Sequence, residues 1–125
     1  MLKRRFIITF LTKNTGKQGE EIAAKYLSEK GYKIVAKNVR FSKHCEIDII
    51  AKDKKETVFV EVKTRKSLNS GHPFEAIDRR KIEKIYTGVL NYIKENNIES
   101  WRIDAVAIIG TTTPKIEHLK NIGID

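Results

Sequence analysis

The sequence predicts a mixed α/β domain, a central sheet flanked by helices, with its elements in the order α-β-β-β-α-β-β. Three observations lead there. Two stretches carry apolar residues at helical spacing. Five shorter stretches of strand character lie between turn signals. The length, 125 residues, suits one domain with one core.

The first helix is expected from Gly16 to Lys30, with Ile22, Ala23, Ala24, Tyr26 and Leu27 as its apolar positions and Gly31 as a natural stop. At ~100° per residue, Glu20 falls on the row of Ala24 and Leu27. A carboxylate inside an apolar arc needs a partner, a cation or water. Strands follow at Tyr32–Phe41, Cys45–Ala51 and Thr57–Thr64, the last two joined as a hairpin by the polar turn Asp53-Lys54-Lys55-Glu56. Arg65 to Pro73 is a polar loop. A long helix is expected from about Phe74 to Asn96, on the stripe Ile82, Ile85, Tyr86, Val89 and Ile93. Strands at Trp101–Ile109 and Lys115–Leu119 complete the order. Met1–Thr15 reads as an appendage, and residues 16–125 as the domain.

Composition narrows the function classes. Twenty-five Lys and Arg against sixteen Asp and Glu give a net charge of +9, which favours polyanionic partners, nucleic acid first among them. A single cysteine, Cys45, excludes an internal disulfide. No apolar run approaches the ~20 residues of a membrane span, and Phe6–Leu11 is too short for a signal-peptide core of ~7–15 residues. A cytoplasmic protein is expected.

The chemistry concentrates in Cys45-Glu46-Ile47-Asp48-Ile49-Ile50 and Val58-Phe59-Val60-Glu61-Val62-Lys63. Strand side chains alternate, so Glu46 and Asp48 share one face, and Phe59, Glu61 and Lys63 share another. If the two faces coincide, three carboxylates and one ammonium converge. Such a group repels itself unless neutralised. Lys63 supplies one charge, and the remaining excess suits Mg²⁺ or Mn²⁺, which prefer oxygen ligands. The same alternation also describes a half-buried hairpin with no function. Two features favour the site: Glu20 on the inward row of the first helix, and Arg65 and Lys66 clustered beyond Lys63.

The order of a helical Glu, an Asp at a strand and Glu-x-Lys on the next strand resembles the PD-(D/E)xK signature of restriction-endonuclease-like folds. More closely, the chain is similar to the YraN family of bacterial proteins, which resembles archaeal Holliday-junction resolvases. The matching segments are Gly16-Lys-Gln-Gly19-Glu20, Ala24-Lys-Tyr-Leu27, Gly31-Tyr32, Asn38-Val-Arg40, Glu46-Ile-Asp48-Ile-Ile-Ala51, Val58-Phe-Val-Glu61-Val-Lys63-Thr-Arg65, Arg102-Ile-Asp104-Ala-Val and His118-Leu-Lys-Asn121. The resemblance implies that Asp48 and Glu61 ligate the metal together with the Val62 carbonyl. It also implies that Lys63 positions the attacking water or the scissile phosphate, and that Glu20 completes the acidic shell. Glu46 belongs to the motif as a metal-linked or supporting acid. Cys45 stands where the family usually has Gly.

Other residues carry weaker expectations. Arg40, Arg65 and Lys66 are candidate phosphate contacts, and Arg79-Arg80-Lys81 with Lys84 would form a basic ridge on the long helix. Asp104 and His118 read as structural. The expected activity is metal-dependent hydrolysis of phosphodiester bonds in DNA, branched or structured DNA by analogy. The alternatives are a nucleic-acid-binding module that does not cut and an adaptor for DNA-processing proteins. Resolvase-like symmetric cutting would need a two-fold dimer, for which Phe6–Leu11 is a candidate face.

Overall fold

The computed structural model describes residues 15–123. The elements are α1 (Thr15–Glu29), β1 (Lys33–Ser42), β2 (Cys45–Asp53), β3 (Glu56–Arg65), a 3₁₀ turn (Pro73–Ala76), α2 (Arg79–Glu95), β4 (Trp101–Ile109) and β5 (Lys115–Leu119). The strands form one sheet in the order β1-β2-β3-β4-β5. Only β3 and β4 run parallel, and α2 supplies the crossover that such a pair requires. This is the expected α-β-β-β-α-β-β order, consistent with the nuclease-like fold that the resemblance implies. The proposed appendage lies outside the described residues, apart from Thr15, where α1 begins.

Each helix covers one face of the sheet. Ala23 and Leu27 of α1 pack on Ile49, Ala51, Val58, Val60, Val62, Val106 and Ile108. Ile85 and Val89 of α2 pack on Ile47, Ile50, Phe59 and Ile103 from the other side. Val58 and Val60 meet one helix and Phe59 the other, so β3 is covered on both faces. That double burial explains its almost unbroken apolar run. Gly31, at φ +95°, ends α1 while the Tyr32 N–H returns to the Leu27 carbonyl.

One boundary differs from the sequence expectation. The long helix does not begin near Phe74. A separate 3₁₀ turn ends at Ala76, and α2 begins at Arg79. Asp78 is extended, and its side chain accepts the Lys81 N–H at 2.9 Å, which makes it the N-cap. His72 caps the preceding turn in the same way, its Nδ1 accepting the Phe74 N–H at 3.1 Å. Two capping side chains divide a stretch that apolar spacing alone runs together.

Candidate metal centre

Asp48 is the centre of the site because the strand changes face there. Val39 and Ile47 are cross-strand partners and both pack beneath α2, yet Ile49 packs beneath α1. On β1 the residue between those pairs, Asn38, is left-handed at φ 54°. The packing side thus changes between Ile47 and Ile49, while Glu46 and Asp48 come together as expected. The β2–β3 pairing runs from Asp53↔Glu56 to Ile49↔Val60. Just beyond it, Asp48 Oδ2 accepts the Val62 N–H at 2.8 Å. A side chain thus takes up a backbone donor at the point where the strands part.

Glu20 reaches this point from α1. Its carboxylate lies with those of Glu46 and Asp48 within a mutual 4.8 Å. The helix comes close enough because its neighbour is Gly19: a Cβ there would stand 1.9 Å from Thr64 Oγ1. Glu61 approaches from β3. It is only 4% exposed, and its Oε1 stands 3.7 Å from Lys63 Nζ and 3.8 Å from Lys81 Nζ. Its Oε2 is buried and has no hydrogen-bond partner.

The electrostatics follow from this crowding. Burial first, then the charge of Asp48 and its hydrogen bond, push Glu20 from 4.5 up to about 7. Burial and Asp48 also push Glu61 up to about 7, against the pull of Lys81 and Lys63. Asp48 is raised mainly by burial, although the Val62 N–H, Glu61 and the two lysines oppose the shift. Protons are held chiefly because burial disfavours the charged forms, and for Glu20 and Glu61 the charge of Asp48 adds to it. A cluster of hard oxygen donors with one buried oxygen left unpaired fits a small divalent cation. The carboxylates that lie close enough together to share one ion are Glu20, Glu46 and Asp48; Glu61, the other acid of the expected pair, stands beside Lys63 and Lys81 outside that group.

The remaining site residues divide. Lys63 lies at the cluster as expected. Arg40, read as a phosphate contact, donates to Glu46 Oε2 at 2.8 Å. Arg65 donates to the Thr64 carbonyl at 2.8 Å. Lys66, Arg80 and Lys84 are exposed. Lys81 leaves the proposed ridge and joins Glu61. Cys45, in the position of the family's Gly, is buried with its thiol 3.0 Å from the Lys84 carbonyl. Gly88 makes room for it: a Cβ on Gly88 would stand 2.7 Å from the Cys45 sulfur. Sequence reasoning assigned no role to Asn38, Gly19 or Gly88. For Asn38 the available signal was residue type, since Asn accepts φ > 0 more readily than most. The proposed dimer face Phe6–Leu11 lies outside the described residues.

A second carboxylate, Asp104 on β4, is fully buried and has a full set of partners. Arg102 Nε donates to Oδ1 at 2.9 Å, the Asn121 N–H donates to the same atom at 2.9 Å, and His118 Nε2 lies 2.8 Å from Oδ2. Arg102 also donates to Tyr32, Asp53 and Glu56. Burial alone would raise Asp104, but the hydrogen bonds from His118, Arg102 and Asn121 outweigh it and hold the carboxyl below the usual range. This network joins β4, β5 and the β2–β3 turn, as the structural reading of Asp104 and His118 expected.

Among the described residues, no helix is long and apolar enough to cross a membrane. Residues 19–108 match the uncharacterised protein family UPF0102. A UPF0102 protein of Caldanaerobacter subterraneus subsp. tengcongensis is 44% identical over 115 residues, covering 87% of this chain and 93% of the relative. One from Sulfurihydrogenibium sp. is 45% identical over 108 residues, covering 85% and 90%. One from Arthrobacter sp. is 41% identical over 112 residues, covering 86% and 94%. With the match running from Gly19 through β4, and so through every carboxylate of the cluster, the chain belongs to the UPF0102 (YraN) family.

Proposed function

We propose that this protein is a divalent-metal-dependent endonuclease acting on DNA. The observation that carries the reading is Glu61: a nearly fully buried carboxylate beside Asp48, one oxygen shared by two ammonium groups and the other left without a partner. Asp48 and Glu61 hold Mg²⁺ or Mn²⁺, with the Val62 carbonyl as the third donor that the resemblance implies. Glu20 adds charge from α1, and Glu46, paired with Arg40, lies with Glu20 and Asp48. The chemistry such a cation supplies when bound is Lewis-acid polarisation of the phosphoryl group. Lys63 holds a phosphate oxygen and stabilises the charge that develops on it. Branched DNA is the substrate class suggested by the likeness to resolvases, and the net charge of +9 supports a polyanionic partner.

The test is cleavage of labelled linear duplex, single strand, flap and four-way junction in Mg²⁺, Mn²⁺ or EDTA, with Asp48→Ala and Lys63→Ala beside the wild type. Metal-dependent cutting that both variants lose is the expected result. No cutting in any metal, with DNA binding that both variants retain in EDTA, would replace the nuclease with a binding module.

A further inference from the structure

The cation nearest the carboxylates on the α2 side is one the strand motif does not contain. Lys81 stands in the first turn of α2, three residues after its cap, and reaches across to Glu61 Oε1 at 3.8 Å. Lys63 reaches the same atom from β3 at 3.7 Å. Both separations exceed the 2.7–2.9 Å of a charge-assisted hydrogen bond, so neither ammonium is locked onto the carboxylate. Of the two, Lys81 pulls harder on both Asp48 and Glu61. The first turn of α2 reads Arg79-Arg80-Lys81 and contains no acid. Cations at a helix N-terminus are opposed by the helix dipole; among the described residues Arg79 pairs with Glu83 at 3.5 Å and Lys81 with Glu61 at 3.8 Å, while Arg80 has no acidic partner. Glu61 Oε2, on the same carboxylate, is buried with no hydrogen-bond partner.

We propose that Lys81 and the first turn of α2 form a phosphate subsite beside the carboxylates, in which Lys81 holds a backbone phosphate of the nucleic-acid strand being cut. The proposal rests on the nuclease reading of the carboxylates and adds a side to it. Once Glu61 is neutralised by a divalent cation, two ammonium groups on different elements are released from it. Lys63 then serves the strand from the β3 side and Lys81 from the α2 side. Lys81 is a positioning residue for the substrate's phosphate, and the strand runs between the end of β3 and the start of α2.

The experiment measures equilibrium binding of a fluorescent four-way junction across a salt series in Ca²⁺, a divalent cation that takes oxygen ligands, so that Glu61 is neutralised as the proposal requires. The proteins are wild type, Lys81→Ala, Lys81→Arg and Lys94→Ala, which makes the same charge change at the far end of the same helix. Loss of one phosphate contact lowers the slope of log K against log salt by about 0.9. Lys81→Ala is expected to show that loss, with Lys81→Arg and Lys94→Ala close to wild type. In Mg²⁺, Lys81→Ala is also expected to lower kcat/KM by roughly 10–100-fold, with partial rescue by Lys81→Arg. An unchanged salt slope in Lys81→Ala, or an equal change in Lys94→Ala, overturns the subsite. So does a loss confined to Mn²⁺ affinity, which would make Lys81 only a counter-charge for Glu61. Lys81→Gln replaces Lys81→Ala if that variant unfolds. The binding arm needs no cleavage, so failure of the nuclease reading and failure of the subsite are separately visible.

Discussion

Two carboxylate clusters on one small sheet have opposite character. Asp104 is completely buried and fully answered: an arginine, a histidine and a backbone amide meet its two oxygens. Asp48 is less buried but poorly answered. Its neighbours include three further acids, and two of those, Glu20 and Glu61, are pushed up to about 7. The difference separates a carboxylate whose charge is answered within the fold from a group whose charge is answered only in part, by Lys63, Lys81 and Arg40. Perturbed, crowded carboxylates of the second kind are the ones that mark a candidate functional site.

The largest break in this contrast is Asp104→Ala. Removing one member of a buried ion pair leaves the other uncompensated, and a loss of about 3 kcal/mol is expected, the lower end of the usual range, because Asp53 and Glu56 still face Arg102. Urea denaturation in EDTA measures it, and a loss below about 1 kcal/mol would mean that the network is not structural. Next comes Gly19→Ala, which forces a Cβ into Thr64. Overpacking of this kind costs about 2 kcal/mol, and it should also weaken Mn²⁺ binding by moving Glu20, as isothermal titration would show. The third goes the other way. Asp48→Asn is expected to stabilise the metal-free protein by on the order of 1 kcal/mol while abolishing the rise in Tm on adding Mg²⁺. A metal-free Asp48→Asn protein less stable than wild type would place Asp48 with Asp104 as a structural group.

Acidity separates the clusters as well. Glu20 and Glu61 bind protons more tightly when folded, so their contribution to stability is present below 4.5 and is lost as pH rises towards about 7. Asp104 is depressed in the folded protein, so its contribution is present above 3.8 and is lost as pH falls further. In EDTA the unfolding free energy should therefore decline between about pH 4.5 and 7, and Glu20→Gln should flatten part of that decline. The smallest effect is expected from Arg40→Ala. Its ion pair with Glu46 is solvent-exposed, and such a pair contributes about 0.5 kcal/mol or less.

Much of this fold was legible because its signals are local. Each strand lies between polar turns, and Leu27, Val89 and Ile103 stand on stripes that correctly face the core. The site was legible as far as strand alternation carries. What the alternation cannot register is the change of packing side at Asp48, since nothing in Ile47-Asp48-Ile49 marks it. Opposite it on β1, between the partners of Ile47 and Ile49, stands the left-handed Asn38. Lys81 reads as part of a basic ridge with Arg80 and Lys84, and its contact with Glu61 was missed for a related reason: it spans the crossover between β3 and α2. The start of α2 was misjudged because the expected helix runs back from its stripe at Ile82 to the end of the polar loop, whereas Asp78 acts through its side chain on the backbone and caps the helix there.

The irregularities of β1 also bear on how the protein behaves at high concentration. A ten-residue strand at the rim of a sheet is an invitation to pairing with another molecule. Here that rim is interrupted by two register shifts, between Ile34 and Ala36 and between Arg40 and Ser42, and by the left-handed Asn38. Exposed Lys33 and Lys37 stand along it. A straight incoming strand would meet a kinked and positively charged ladder and lose its pairing after a few residues. Among the described residues, β1 therefore gives the sheet a rim poorly suited to pairing with another molecule.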